Sequence, residues 1–95
     1  MLVALLEVDL LLPGSSSLKE KRVVLNRLKD KVSRQFKVSV AEVGDSKDSW
    51  ATSSLAVVAV SDDGAVLSSV MNQVVNFMER EKGVEITRYS TRFIG

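Results

Sequence analysis

The chain has 95 residues, 45% of them apolar and 26% charged, with a net charge of +1. That size and composition fit a single packed domain spanning residues 1–95, with too little interior for a deep enclosed cavity, so any site is expected on a surface or between subunits. The absence of cysteine and histidine excludes disulfide staples, thiol nucleophiles, Cys/His zinc centres, Ser-His-Asp triads and imidazole acid–base chemistry.

The first segment, Leu2–Leu12, alternates as a strand, with Ala4, Leu6, Val8 and Leu10 on one face and Val3, Leu5, Glu7 and Asp9 on the other. Glu7 and Asp9 interrupt the apolar start and no basic residue precedes Lys19, which is unlike a secretory signal. Pro13-Gly14-Ser15-Ser16-Ser17 breaks the strand, and Ser17-Leu18-Lys19-Glu20 has the form of a capping box, so a helix is expected from Leu18. At about 100° per residue, Leu18, Val24, Leu25, Leu28, Val32 and Phe36 gather on its inner side. Lys21 points inward with them, its ammonium expected to find Glu42 or Asp9.

A short β-branched run, Val38–Val43, is followed by the turn-forming residues Gly44–Ser49 and by a second apolar run, Ser54–Val60, which read together as a hairpin. The second of these strands is apolar on both faces and is expected in the middle of its sheet. Ser61-Asp62-Asp63-Gly64 supplies an N-cap for a second amphipathic helix carrying Leu67, Val70, Met71, Val74, Phe77 and Met78, which Gly83 stops. The uncharged stretch Gly64–Met78 is too short and too rich in Ser, Asn and Gln to cross a bilayer. A last strand, Val84–Ile94, is expected to alternate between Val84, Ile86 and Arg88 on one face and Glu85, Thr87, Tyr89, Thr91 and Phe93 on the other, at a sheet edge where Arg88 and Arg92 are solvated.

The order βαββαβ predicts an α+β, ferredoxin-like fold, with a four-stranded antiparallel sheet and two helices on one face. The other face would then be left uncovered. Its apolar residues, Val3 and Leu5 among them, imply a homo-oligomer built through the open sheet face, with Trp50 in the hairpin loop as a further interface anchor. The chain is expected to be cytoplasmic, with no membrane partner.

The block Leu12–Arg22 (Leu-Pro-Gly-Ser-Ser-Ser-Leu-Lys-Glu-Lys-Arg), then Phe36–Val43 and Val60–Asp63, resemble the bacterial YlxP-like family over nearly the whole chain. The resemblance implies a ferredoxin-like fold and carries no established activity. Its genes often neighbour those of translation initiation and ribosome maturation, which implies ribosomal RNA or the ribosome as a partner. The sequence departs from the family pattern after Trp50, where Thr52 stands in place of an arginine.

Segment Leu18–Lys37 holds eight basic residues against Glu20 and Asp30, a net of +6 that leaves −5 for the remainder. Such asymmetry fits an electrostatic footprint for phosphates, and Lys19, Lys21, Arg22 and Lys29 are the candidate contact residues for nucleic acid or another anion. The opposing reading is a solvated helix face, because these residues ring the helix, and Tyr89 and Phe93 are the only candidate stacking platforms on the sheet. Pro13–Ser17 lacks phosphate-loop spacing, and no arginine precedes Lys21 to serve as in an acylphosphatase. Asp45, Asp48, Asp62 and Asp63 follow no metal-loop spacing and read as turn and cap residues. No catalytic residue, metal ligand or cofactor is assigned. The expected function is a non-enzymatic RNA- or ribosome-associated module. The alternatives are a small-molecule-binding or catalytic oligomer with a site between subunits around Trp50 and Asp45–Asp48, and a structural protein-interaction subunit.

Overall fold

Strict alternation in the first strand decides the layering. In the computed structural model, which describes residues 1–94, Ala4, Leu6, Val8 and Leu10 are buried beneath two helices while Val3, Leu5, Glu7 and Asp9 face away from them. The elements are β1 (Leu2–Leu11), α1 (Leu18–Phe36), β2 (Ser39–Val43), β3 (Thr52–Ser61), α2 (Gly64–Arg80) and β4 (Glu85–Ile94). The four strands form one antiparallel sheet in the order β2-β3-β1-β4, which is the ferredoxin-like arrangement.

The helix-facing side of the sheet meets Leu25, Leu28 and Val32 of α1 and Leu67, Met71, Val74, Val75 and Met78 of α2 in one apolar cluster. Phe36 and Phe77 seal the far end of the helix pair edge to face, with ring centroids 5.7 Å apart. Leu18, expected on the inner side of α1, is exposed. As the first helical residue it lies ahead of the turn that reaches the sheet.

The caps act locally. Ser17 accepts the Glu20 backbone N–H at 3.1 Å, and the Glu20 carboxylate reaches back to the N–H of Ser16 at 2.8 Å, one residue earlier than the usual box. Asp63 accepts the N–H of Ala65 at 2.9 Å and starts α2. Gly83, at φ 89°, turns the chain from α2 into β4 with Val24 3.6 Å from where a side chain would begin.

The last strand departs from simple alternation. Leu10 pairs with Ile86 but Asp9 pairs with Arg88, so Thr87 is an extra residue, a β-bulge. Residues directly opposite one another share a face. Val84 and Ile86 therefore turn toward the helices as expected, but beyond the bulge it is Tyr89, Thr91 and Phe93 that do so, and Arg88 moves to the open face with Ser90, Arg92 and Ile94. A single alternation frame through Val84–Ile94 is thus corrected. β3 also runs further than its apolar core at both ends, because Thr52 and Ser53 pair with Leu11 and Leu10, and Ser61 with Leu2.

Candidate functional site

Charge is the chemistry this molecule carries, and the fold distributes it in three ways. The first is burial. Lys21 is only 2% exposed, and each of the three N–H bonds of an ammonium needs an acceptor there. They are supplied by the carbonyls of Ser46 (2.7 Å) and Ser49, and by the Glu42 carboxylate at 3.1 Å. Glu42 sits on the helix-facing side of β2 opposite Leu55, and its second support is the hydroxyl of the buried Ser53, which donates at 2.8 Å. Burial alone would raise the Glu42 carboxyl. The hydrogen bonds from Ser53 and Lys21, with the positive charges of Lys21 and Lys29, outweigh it and hold the group below its ordinary value. Lys21 thus ties the Gly44–Ala51 loop to the start of α1. Of the two partners expected from sequence, Glu42 and Asp9, the structure selects Glu42.

The second arrangement is neutralisation. On the open sheet face Arg92 meets Glu7 at 3.0 Å, and Arg88 meets Asp9 at 3.3 Å; Asp9 also accepts the Ser54 hydroxyl at 2.7 Å. These pairs occupy one end of the face. Val3, Leu5, Val58, Val60 and Ile94 occupy the other, with Val60 63% exposed.

The third is accumulation. Arg27 and Lys31 of α1 converge with Arg80, Glu81 and Lys82 at the end of α2 around an open cleft of about 400 Å³. Lys31 takes up Glu81 at 3.2 Å. Among the described residues, Arg27, Arg80 and Lys82 enter no ion pair, whereas Arg34 is held by Asp30 at 2.7 Å.

The residues singled out from sequence do not form one patch. Lys21 points into the loop cage and presents no free ammonium. Lys19 lines an apolar groove of about 380 Å³ with Gly14, Ser15, Val23, Val24 and Gly83. Arg22 is exposed and Lys29 half-buried; by helical spacing both lie on the flank near Glu42, away from Lys31. Val3 and Leu5 lie on the open face as expected, and Trp50 is half exposed at the end of the Lys21-held loop. Sequence reasoning missed the approach of Arg80 and Lys82 to Arg27. The signal was the Arg80-Glu81-Lys82 run ahead of the helix stop, where cations suit the end of a helix dipole.

Comparison with known proteins fits this picture of a small charged α+β module. The family model described as a protein of unknown function, DUF503, matches residues 3–91. The chain belongs to the DUF503 family. It is 30% identical over 86 residues to the uncharacterized protein YlxP of Bacillus subtilis (strain 168), a match covering 90% of this chain and 92% of that protein. A further match is to the arginine–tRNA ligase of Wolbachia pipientis subsp. Culex pipiens (strain wPip), 36% identical over 66 residues, or 68% of this chain and 12% of the ligase. The de novo designed protein Foldit4 superposes with a TM-score of 0.55 over 100% of this chain and 98% of its own, at 11% identity, which is a likeness of fold. Among the described residues, no helix is long and apolar enough to cross a membrane, and no group of three or more carboxylates could hold a metal ion.

Proposed function

We propose that this DUF503 protein is a non-enzymatic RNA-binding module, of the kind that works beside the ribosome, and that it meets phosphates with its helix layer. The observation that carries the reading is the gathering of Arg27, Arg80 and Lys82 around one cleft with no carboxylate partner of their own. Cations left unpaired at a shared cleft are placed to replace the counterions of a phosphate backbone. Lys19, Arg22 and Lys29 add positive charge to other sides of α1, outside the cleft. The similarity to a stretch of arginine–tRNA ligase, a protein that by its name acts on tRNA, supports the same direction. Tyr89 and Phe93 lie on the helix side of the sheet, so the reading rests on backbone phosphates and not on stacked bases.

The test is binding of total tRNA and of 30S subunits across a salt series. Each lost phosphate contact lowers the slope of log K against log salt by about one, so Arg27→Ala/Arg80→Ala/Lys82→Ala should lower it by roughly two to three and weaken binding roughly tenfold or more. Binding indifferent to salt and to these substitutions would sink the proposal and turn attention to Trp50 and the Asp45–Asp48 loop. Self-association over the open sheet face is a second reading, favoured by the exposed Val60 and Ile94 beside Val3 and Leu5. It predicts that Val58→Lys lowers the sedimenting mass.

A further inference from the structure

The outer edge of β4 is the long free edge of the sheet, ten residues against five in the opposite edge strand β2. Free edges are commonly blunted by proline, by outward charges or by bulges. Beyond the Thr87 bulge, Arg88–Ile94 contains no proline, and its two charges lean inward onto Asp9 and Glu7 of β1. This edge is therefore regular and electrically quiet. It also carries two large rings, Tyr89 and Phe93, which remain 51% and 48% exposed on the helix side of the sheet.

We infer that β4 is a self-pairing edge, at which a second copy of the chain adds its own β4 antiparallel and extends the sheet across a two-fold axis at Thr91. The register argues for a second copy as occupant. With Thr91 opposite Thr91, Tyr89 falls opposite Phe93 of the second copy and Phe93 opposite its Tyr89, forming two aromatic cross-strand pairs on one face. On the other face Arg92 falls opposite Ser90 and Arg88 opposite Ile94, so no like charges meet directly. Moving the axis to Ser90 would set Arg88 against Arg92, and moving it to Arg92 would set that arginine against itself; both oppose like charges. The strand is thus complementary to itself in the Thr91 register. The four rings, about half exposed and of ~200 Å² each, would withdraw about 400 Å². With the strand backbones and neighbouring side chains, this places the contact at the low end of specific interfaces, near ~1000 Å², and makes it concentration-dependent. It leaves both the cationic cleft and the open sheet face uncovered, so it stands apart from the RNA reading.

The experiment combines sedimentation with single-cysteine crosslinking in the full chain. Since the described chain has no cysteine of its own, any disulfide reports the introduced thiol. Thr91 and its copy would stand about 4.5–5.5 Å apart at Cα, within disulfide reach of ~4.4–6.8 Å. Tyr89 and its copy would be separated by four residues along the strands, roughly 13 Å. The expected result is that mild oxidation converts Thr91→Cys, but not Tyr89→Cys, to a covalent dimer. Wild type should sediment toward the mass of two chains as concentration rises, while Thr91→Lys, which opposes two ammonium groups, stays at one. A monomer at every concentration overturns the inference. So does a dimer that survives Thr91→Lys and crosslinks through Val58→Cys, which would assign the contact to the open face.

Discussion

The helix layer and the open sheet face both carry arginines, and they use them oppositely. On the sheet, Arg88 and Arg92 each lie beside an acid of the neighbouring strand, so the face is nearly neutral and its character is set by Val3, Leu5, Val58 and Val60. Around the helix cleft, Arg27, Arg80 and Lys82 gather with their like, and of its cations only Lys31 finds an acid, Glu81. A net charge of +1 conceals this segregation. The difference shows that where a cation's partner lies, across a strand pair or nowhere, decides whether it shapes the surface or is available to an anion. Lys21 belongs to the helix by sequence and to the sheet by chemistry, because its charge is consumed by Glu42 and the loop carbonyls.

That contrast can be broken most forcefully at Lys21. Lys21→Met leaves the Glu42 carboxylate and the carbonyls of Ser46 and Ser49 without their cation, and should cost about 3–5 kcal/mol in urea unfolding, with amide exchange accelerating first in residues 44–51. A loss below about 1 kcal/mol would mean the loop stands on its own turns, such as the Ser49 N–H to Ser46 carbonyl bond of 3.1 Å. The next effect is smaller and depends on pH. The folded-state Glu42 carboxyl titrates below its ordinary value of about 4.5, so its contribution to stability is complete above that value and fades as pH falls through the folded-state pKa. Glu42→Gln should therefore destabilise by about 1–2 kcal/mol at neutral pH, with the gap from wild type closing in acid. A gap that stays constant with pH would remove the carboxylate's charge from the account.

The helix and sheet cations separate at the bottom of the scale. Arg27→Ala/Arg80→Ala/Lys82→Ala should change unfolding stability by no more than about 0.5 kcal/mol per site while weakening RNA binding roughly tenfold or more. Arg92→Ala should cost roughly 0–1 kcal/mol, as for an exposed pair, and leave RNA binding intact. If Arg92→Ala weakened RNA as much as the triple variant, the two regions would form one electrostatic surface and the contrast would fail.

Much of the fold was legible because its signals are local. Apolar alternation in Leu2–Leu11, the Ser17 and Asp63 caps and the helical spacing of Leu67, Met71, Val74 and Met78 each place an element without reference to the others. The inward turn of Lys21 was readable from its 100° spacing with Leu25 and Leu28. What escaped depends on where separate segments meet. Ser53 looks like a turn residue until Glu42 is seen to need its hydroxyl, and Arg80 becomes part of a cleft only when α2 is laid beside Arg27. The bulge escaped because an alternation of polar residues reads the same in either frame.

That bulge acts on β4 as a frameshift acts on a message. One supernumerary residue, Thr87, reassigns every side chain downstream: it delivers both arginines to the acids of β1 and both aromatic rings to the opposite side. Drawing Thr87 into the ladder, with no bulge, would leave composition and charge untouched while exchanging the linings of both faces in a single step, placing Arg88 and Arg92 beside Val8 and Ala4 and Tyr89 beside Glu7. In this fold the identity of two surfaces is written in whether one residue of one strand is paired or skipped.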